Sequence, residues 1–172
     1  MPDIRLKNPA VRILVAHPLA FVDWTDPKAA ELNARLGLVD EITCAVNQDG
    51  STFDLADSDT DDSLTFCQVA GAVNATTRNA DVVLETEISA VKNVVNTANT
   101  AQSLLRYPGV EYFFILSIGT GPGGAFVAGD RVSMVRAETD YGVDVFGTGE
   151  NIRLSQTPMA RGDILWNARI TA

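Results

Sequence analysis

Gly119-Thr-Gly121-Pro-Gly-Gly124 has the G-x-G-x-x-G spacing and directly follows an apolar run ending at Ile118. Glycines so placed let a backbone approach a pyrophosphate, as in a dinucleotide-binding turn. That chemistry also needs a helix whose first N–H groups hold the phosphates. The residues that follow, Ala125-Phe-Val-Ala-Gly129-Asp-Arg-Val-Ser-Met-Val-Arg136, contain another glycine and then β-type side chains. A Gly-rich connection between strands is the favoured reading, and a nucleotide-binding enzyme using the Gly119–Gly124 loop stays as an alternative. Asp57-Ser-Asp59-Thr-Asp61-Asp62 begins like a calcium loop with carboxylates at alternate positions. It lacks the glycine and the glutamate such a loop needs, having Asp62 and Gln68 there, so a solvated acidic loop is expected. The single histidine, His17, lies between Ala16 and Pro18 without a G-x-S-x-G elbow elsewhere, so a packed or surface imidazole is expected rather than a general base. Glu85 and Glu87 share a strand face, yet nothing else marks a sugar site. Asn74-Ala-Thr76 fits a glycosylation triplet and is taken as chance, because no secretory leader is read. Cys44 and Cys67 are expected to be free, buried thiols, and their spacing with one histidine does not suit zinc. No catalytic residue, cofactor or metal is therefore expected.

The 172 residues are 46% apolar and carry a net charge of −9, with a pI near 4.4. That length supports one domain with a substantial core. The acidic balance argues against phosphate-mediated nucleic-acid binding and against an acidic membrane surface. Apolar runs such as Tyr112 to Ile118 are far shorter than the roughly 20 residues of a membrane helix. The first residues lack an apolar leader segment, so synthesis and folding in a cytosol are expected. Between Leu36 and Leu105 there are eleven acids and two bases, so this segment accounts for the whole net charge. Such asymmetry builds a one-signed field on part of the surface.

The elements that must position these groups are mainly strands. A helix is predicted over Pro27–Leu36, opened by Thr25-Asp26-Pro27 and stopped at Gly37. A second is predicted over Thr97–Arg106, before Tyr107-Pro108-Gly109. Period-two alternation predicts strands over Glu41–Val46, Asp81–Ile88, Asn151–Thr157 and Asp163–Thr171. Ile164, Trp166, Ala168 and Ile170 form the apolar side of the last one. Glu111–Ile118 is apolar on both sides, as a covered central strand would be. Gly147-Thr148-Gly149 predicts a hairpin between residues 144–146 and the strand from Asn151. The expectation is a sheet system with one packed and one wet face, and with open edges available for assembly.

The order of these features resembles a known family. Asp23-Trp24-Thr25-Asp26-Pro27 leads into Ala30-Glu31-Leu32-Asn33, then into Ile42–Val46. The acidic 57–62 stretch precedes Leu64-Thr-Phe-Cys67, and Asn74-Ala-Thr-Thr-Arg78 precedes a long strand. The helix ending near Arg106, Tyr112-Phe-Phe-Ile-Leu116, the Ala128-Gly129-Asp130 turn into Val132–Val135, and two closing strands complete the series. From Phe21 to Ala172 the chain resembles the tail tube, or major tail, proteins of long-tailed bacteriophages, especially those of actinobacterial hosts.

The resemblance implies a mainly β (α+β) fold, a β-sandwich or barrel with one or two short flanking helices, over a single domain 1–172. It implies a structural virion subunit that assembles in the host cytoplasm into stacked hexameric rings, forming a hollow electronegative tube for genome ejection. Its partners would be itself, a tape-measure protein and tail terminator and tip proteins, with DNA passing through without specific binding and no membrane binding. A related contractile injection or secretion tube is the alternative within that fold. Asp81, Glu85 and Glu87 are the candidates to face the channel. Residues 48–63, with Asp49, Asp54, Asp57, Asp59, Asp61 and Asp62 and no base, match the family's inter-ring loop. Their partner surface would be basic, with Arg131, Arg136, Arg153, Arg161 and Arg169 in the other half of the chain. Residues 1–20 are expected as an N-terminal arm, with Pro2–Pro9 ordering on assembly.

Overall fold

A computed structural model describes residues 11–34, 37–46, 51–61, 75–87, 101–119, 121–145 and 153–172. The strands are β1 (Val11–Ala16), β2 (Val39–Glu41), β3 (Thr52–Asp61), β4 (Ala75–Glu87), β5 (Glu111–Ile118), β6 (Arg131–Glu138), β7 (Val143–Val145), β8 (Arg153–Gln156) and β9 (Met159–Arg169). Two short helices, α1 (Ala29–Asn33) and α2 (Ala101–Leu105), accompany them. The chain is mainly β, with antiparallel pairing throughout its two sheets. One sheet has the order β2-β1-β5-β6-β9 and the other β3-β4-β8-β7.

The five-stranded sheet is packed on both faces, not on one. Leu14 and Ala16 of β1, Phe113 and Ile115 of β5, and Val132 and Met134 of β6 point into one apolar cluster, closed by Phe21, Leu32, Phe126 and Ile170. Phe21 meets Phe113 edge-on at 5.4 Å and Trp24 stacks on it at 5.7 Å. The alternate residues Val15, Phe114, Val135 and Ala137 enter a second cluster with Val82, Leu154, Ala101 and Leu105, from the second sheet and α2. β5 thus lies in the middle of its sheet and is covered from both sides, as its two apolar faces require.

β1 corrects the reading of residues 1–20 as an arm. Residues 11–16 form an interior strand, paired with β2 on one side and β5 on the other. Pro2–Pro9 lies outside the described residues. α1 is shorter than its predicted span because Asn33 turns its carboxamide to the 121–130 connection. Asn33 Nδ2 donates to the Phe126 carbonyl at 2.9 Å, and the Phe126 N–H donates to Oδ1 at 2.8 Å. At the other end Glu31 accepts from the Lys28 and Val22 N–H groups, fixing the first turn. The predicted 97–106 helix is seen over Ala101–Leu105, with 97–100 outside the described residues.

The strand predicted from Glu41 ends there. Thr43 Oγ1 accepts from the Ile13 N–H at 2.9 Å; a side chain takes the next ladder position, and the backbone closes a 3₁₀ turn over Thr43–Ala45. That turn carries Cys44 free and exposed, not buried, while Cys67 lies outside the described residues. β7 pairs with β8 antiparallel as the predicted hairpin requires.

β9 departs from simple alternation. Val132 faces Ala168 but Met134 faces Leu165, and Val135 faces Ile164 but Ala137 faces Ala160. The extra residues sit near Asn167, at φ 52°, and Gly162, at φ 83°; the single extra residue near Asn167 reverses the inward side, whereas the two near Gly162 keep Ala160 and Ile164 against the same cluster. Ile164 packs against one cluster and Ile170 belongs to the other, so the apolar set read along this strand does not share a face.

Candidate functional site

The Gly-rich loop is occupied by the chain's own charges. Gly123 N–H points at both Glu41 carboxylate oxygens, 3.1 and 3.2 Å away. Arg12, 1% exposed, donates to the Gly124 carbonyl at 2.5 Å and to Glu41 at 3.0 Å. Its guanidinium lies 4.3 Å from the centre of the Phe126 ring. Burial acts to raise the Glu41 pKa, but the bonds from Arg12, Gly123 and Thr43 outweigh it and hold the carboxyl below its usual range. The connection then enters β6 rather than a helix, so the helix N-terminus that would carry a pyrophosphate is lacking among the described residues. An internal carboxylate takes the loop N–H that an external anion would need. His17 caps the 3₁₀ turn that follows it, its Nδ1 accepting from the Leu19 N–H.

The acidic segment is not the loop its composition suggested. Residues 52–61 form β3, paired along its length with β4 and bulged between Ala56 and Asp59. The β-branched and aromatic residues Thr52, Phe53, Thr60, Thr76, Thr77, Val82 and Val83 suit this ladder. Extended backbone does not wrap a calcium ion as a loop would. Asp57, Asp59 and Asp61 are positions of β3, and Asp54 is exposed with Oδ1 accepting from the Leu55 N–H. Asp49 and Asp62 lie outside the described residues. Asp81, Glu85 and Glu87 all fall on β4, in the alternate phase to buried Val82. Their register partners are Asp54, Ser155 and Arg153. The structure therefore brings a channel candidate, Asp81, directly opposite an inter-ring candidate, Asp54.

The arginines divide into two groups. Arg136 bridges Glu111 and Asp163, both at 2.9 Å, and these bonds raise its pKa. Arg161 is paired with Glu138. Arg131 and Arg169 are exposed, sit directly opposite one another on β6 and β9, and have no ion pair among the described residues. Arg131 donates to Asn167 Oδ1 at 3.3 Å, and Asn167 donates its N–H to Ser133 Oγ at 3.0 Å. A shallow groove beside them is lined by Leu116, Ile118, Val132 and Ser133. Sequence reading located both arginines but not their apposition, which only the β6–β9 register supplies. It also missed the Arg12–Glu41 lock, whose one signal is a lone cation inside the apolar run Val11–Ala16.

The sheet edges are the other exposed feature. β3 and β7 end one sheet, β2 and β9 the other. Of these, β3 and β9 are long, 10 and 11 residues, and their outer sides pair with no other strand among the described residues, the kind of edge that can join another chain. Phe53 of β3 stacks on Trp166 of β9 at 6.0 Å, joining the two sheets. Among the described residues no group of three or more His, Cys, Asp or Glu is placed to hold a metal ion, and no helix is long and apolar enough to cross a membrane.

A search of curated proteins returns no match. A model of the family described as phage tail tube protein matches residues 1–172, the whole chain. With antiparallel sheets and two short helices among its described residues, the chain belongs to the phage tail tube protein family.

Proposed function

We propose that this chain is the repeating subunit of a hollow tail tube, acting by assembly rather than by catalysis. The family match over all 172 residues carries this reading. The subunits form hexameric rings, the rings stack, and the genome passes through the bore during ejection. The two long edges support it, because a soluble subunit that leaves 10- and 11-residue strands open has the means to join sheets across copies. Assembly takes place in the host cytoplasm, with tape-measure, terminator and tip proteins as the other partners. No cofactor, metal or membrane enters the reading, and the self-filled Gly loop favours a non-enzymatic role.

Asp81, Glu85 and Glu87 line the bore. The alternation of β4 supports this, since Val82 of the opposite phase is buried in the core. A negative lining repels DNA phosphates, so the genome slides without adhering. Residues 48–63, mostly strand β3, contact the adjacent ring.

Two measurements test these statements. Light scattering across a concentration series is expected to show growth from subunit to ring-sized and larger particles, and a chain that stays monomeric at every concentration contradicts it. Virions carrying Glu85→Lys with Glu87→Lys are expected to contain normal tails but to eject DNA more slowly. Unchanged infectivity would remove these two residues from the bore.

A further inference from the structure

One position on the five-stranded sheet holds two like charges with no ion pair among the described residues. On β6 and β9, Arg131 and Arg169 stand directly opposite each other, an arrangement that disfavours the isolated subunit. Asn167 holds the left-handed conformation at φ 52°, uncommon outside glycine, and its carboxamide oxygen receives one Arg131 nitrogen. The nearest acid in sequence, Asp130, is engaged by the Val127 N–H within its own turn. Arg131 and Asn167 line a groove with Leu116, Ile118, Val132 and Ser133, and Ile118 is 57% exposed. A cationic pair beside an apolar trough suits an extended segment with carboxylates at alternate positions.

β3 is such a segment. Asp59 faces Thr77 and Asp61 faces Ala75, so the two acids share one strand phase and are separated by about 7 Å along the chain. The two arginines are roughly 5 Å apart at their Cα atoms, as opposed residues in an antiparallel pair are, and their long side chains span the difference. Among the described residues β3 is also an edge strand, with β4 as its sheet neighbour.

We propose that the Arg131–Arg169 pair and its groove seat the outer half of β3 from a second copy of this chain, with Asp59 and Asp61 meeting the two guanidinium groups. This rests on the tube reading and names the basic partner of its acidic strand. Of the other described arginines in that half of the chain, Arg136 and Arg161 are already neutralised within the subunit.

The test uses the full chain. Arg131→Glu with Arg169→Glu, and separately Asp59→Lys with Asp61→Lys, are each expected to raise the concentration for half-assembly about tenfold or more. An equimolar mixture of the two variants is expected to assemble again, because it recreates opposite charges across the contact. Arg131→Gln with Arg169→Gln, which only removes charge, is expected to weaken assembly while leaving the melting temperature of the subunit unchanged or higher; an internal structural role would lower it. Arginine variants that assemble like the wild type, or a mixture that fails to assemble, overturn the seat while the wild-type tube stands. A wild-type chain that never assembles removes the tube reading and this contact together.

Discussion

Arg12 interrupts an apolar run and is nonetheless almost wholly buried, because Glu41, the Gly124 carbonyl and the Phe126 ring meet it there. Removing one member of a buried pair strands the other's charge. Glu41→Gln is therefore expected to destabilise the subunit by about 3 kcal/mol at neutral pH, measured by denaturant unfolding. The pH dependence has a definite sign. Glu41 has a folded pKa below its ordinary 4.5, so its contribution is complete above that value and is lost as pH falls through the lower, folded one. The stability gap between wild type and Glu41→Gln should narrow as the solution is acidified below pH 4.5. Asp40 behaves oppositely: burial raises its pKa, so acidification favours its folded form, and Asp40→Asn is expected to raise the melting temperature slightly at neutral pH. None of this was visible in the sequence, since Arg12 and Glu41 meet only when β1 pairs with β2.

At the scale of elements, the strands were legible where burial enforces a clear pattern and obscure where a single side chain or bulge intervenes. β5 matches its predicted span because both its faces are packed. β2 stops at Glu41 because the Thr43 hydroxyl takes the Ile13 N–H, which alternation alone does not reveal. β9 was found, but the one-residue bulge at Asn167 exchanges its faces. β1 went unread, as its six residues mix Arg12 into apolar neighbours without alternation. The turn from β6 into β7 also has a strict demand. A Cβ on Gly142 would lie 2.6 Å from Leu154 Cδ1, and Leu154 is 1% exposed within the core. Gly142→Ala is expected to cost about 1–3 kcal/mol through overpacking, read from the shift in unfolding midpoint. A loss below the error of that measurement would mean that Leu154 repacks freely.

Across the whole molecule, composition announced the charge asymmetry and the order of motifs announced the family, while the placement of charge waited for the sheet register. The acids of residues 48–63 were read as a loop from the calcium-loop-like spacing of 57–62 and the resemblance to the family's inter-ring loop; aspartate disfavours strands, but cross-strand pairing with β4 makes residues 52–61 a strand. The result is a subunit with a negative hairpin, a separate positive pair and two long edges, features that a solitary protein is expected to protect and an assembling one to use. If the charges act between subunits, raising the ionic strength from about 0.1 M to about 1 M, which shortens the screening length about threefold, should shift assembly toward free subunits while leaving the melting temperature nearly unchanged. The central claim is that these subunits close into hollow rings. Negative-stain electron microscopy of the purified chain, concentrated at moderate salt, tests it most directly. The account predicts annular particles with sixfold symmetry that stack into open tubes. Particles of a single subunit at the highest concentration, or solid aggregates without a bore, would contradict it.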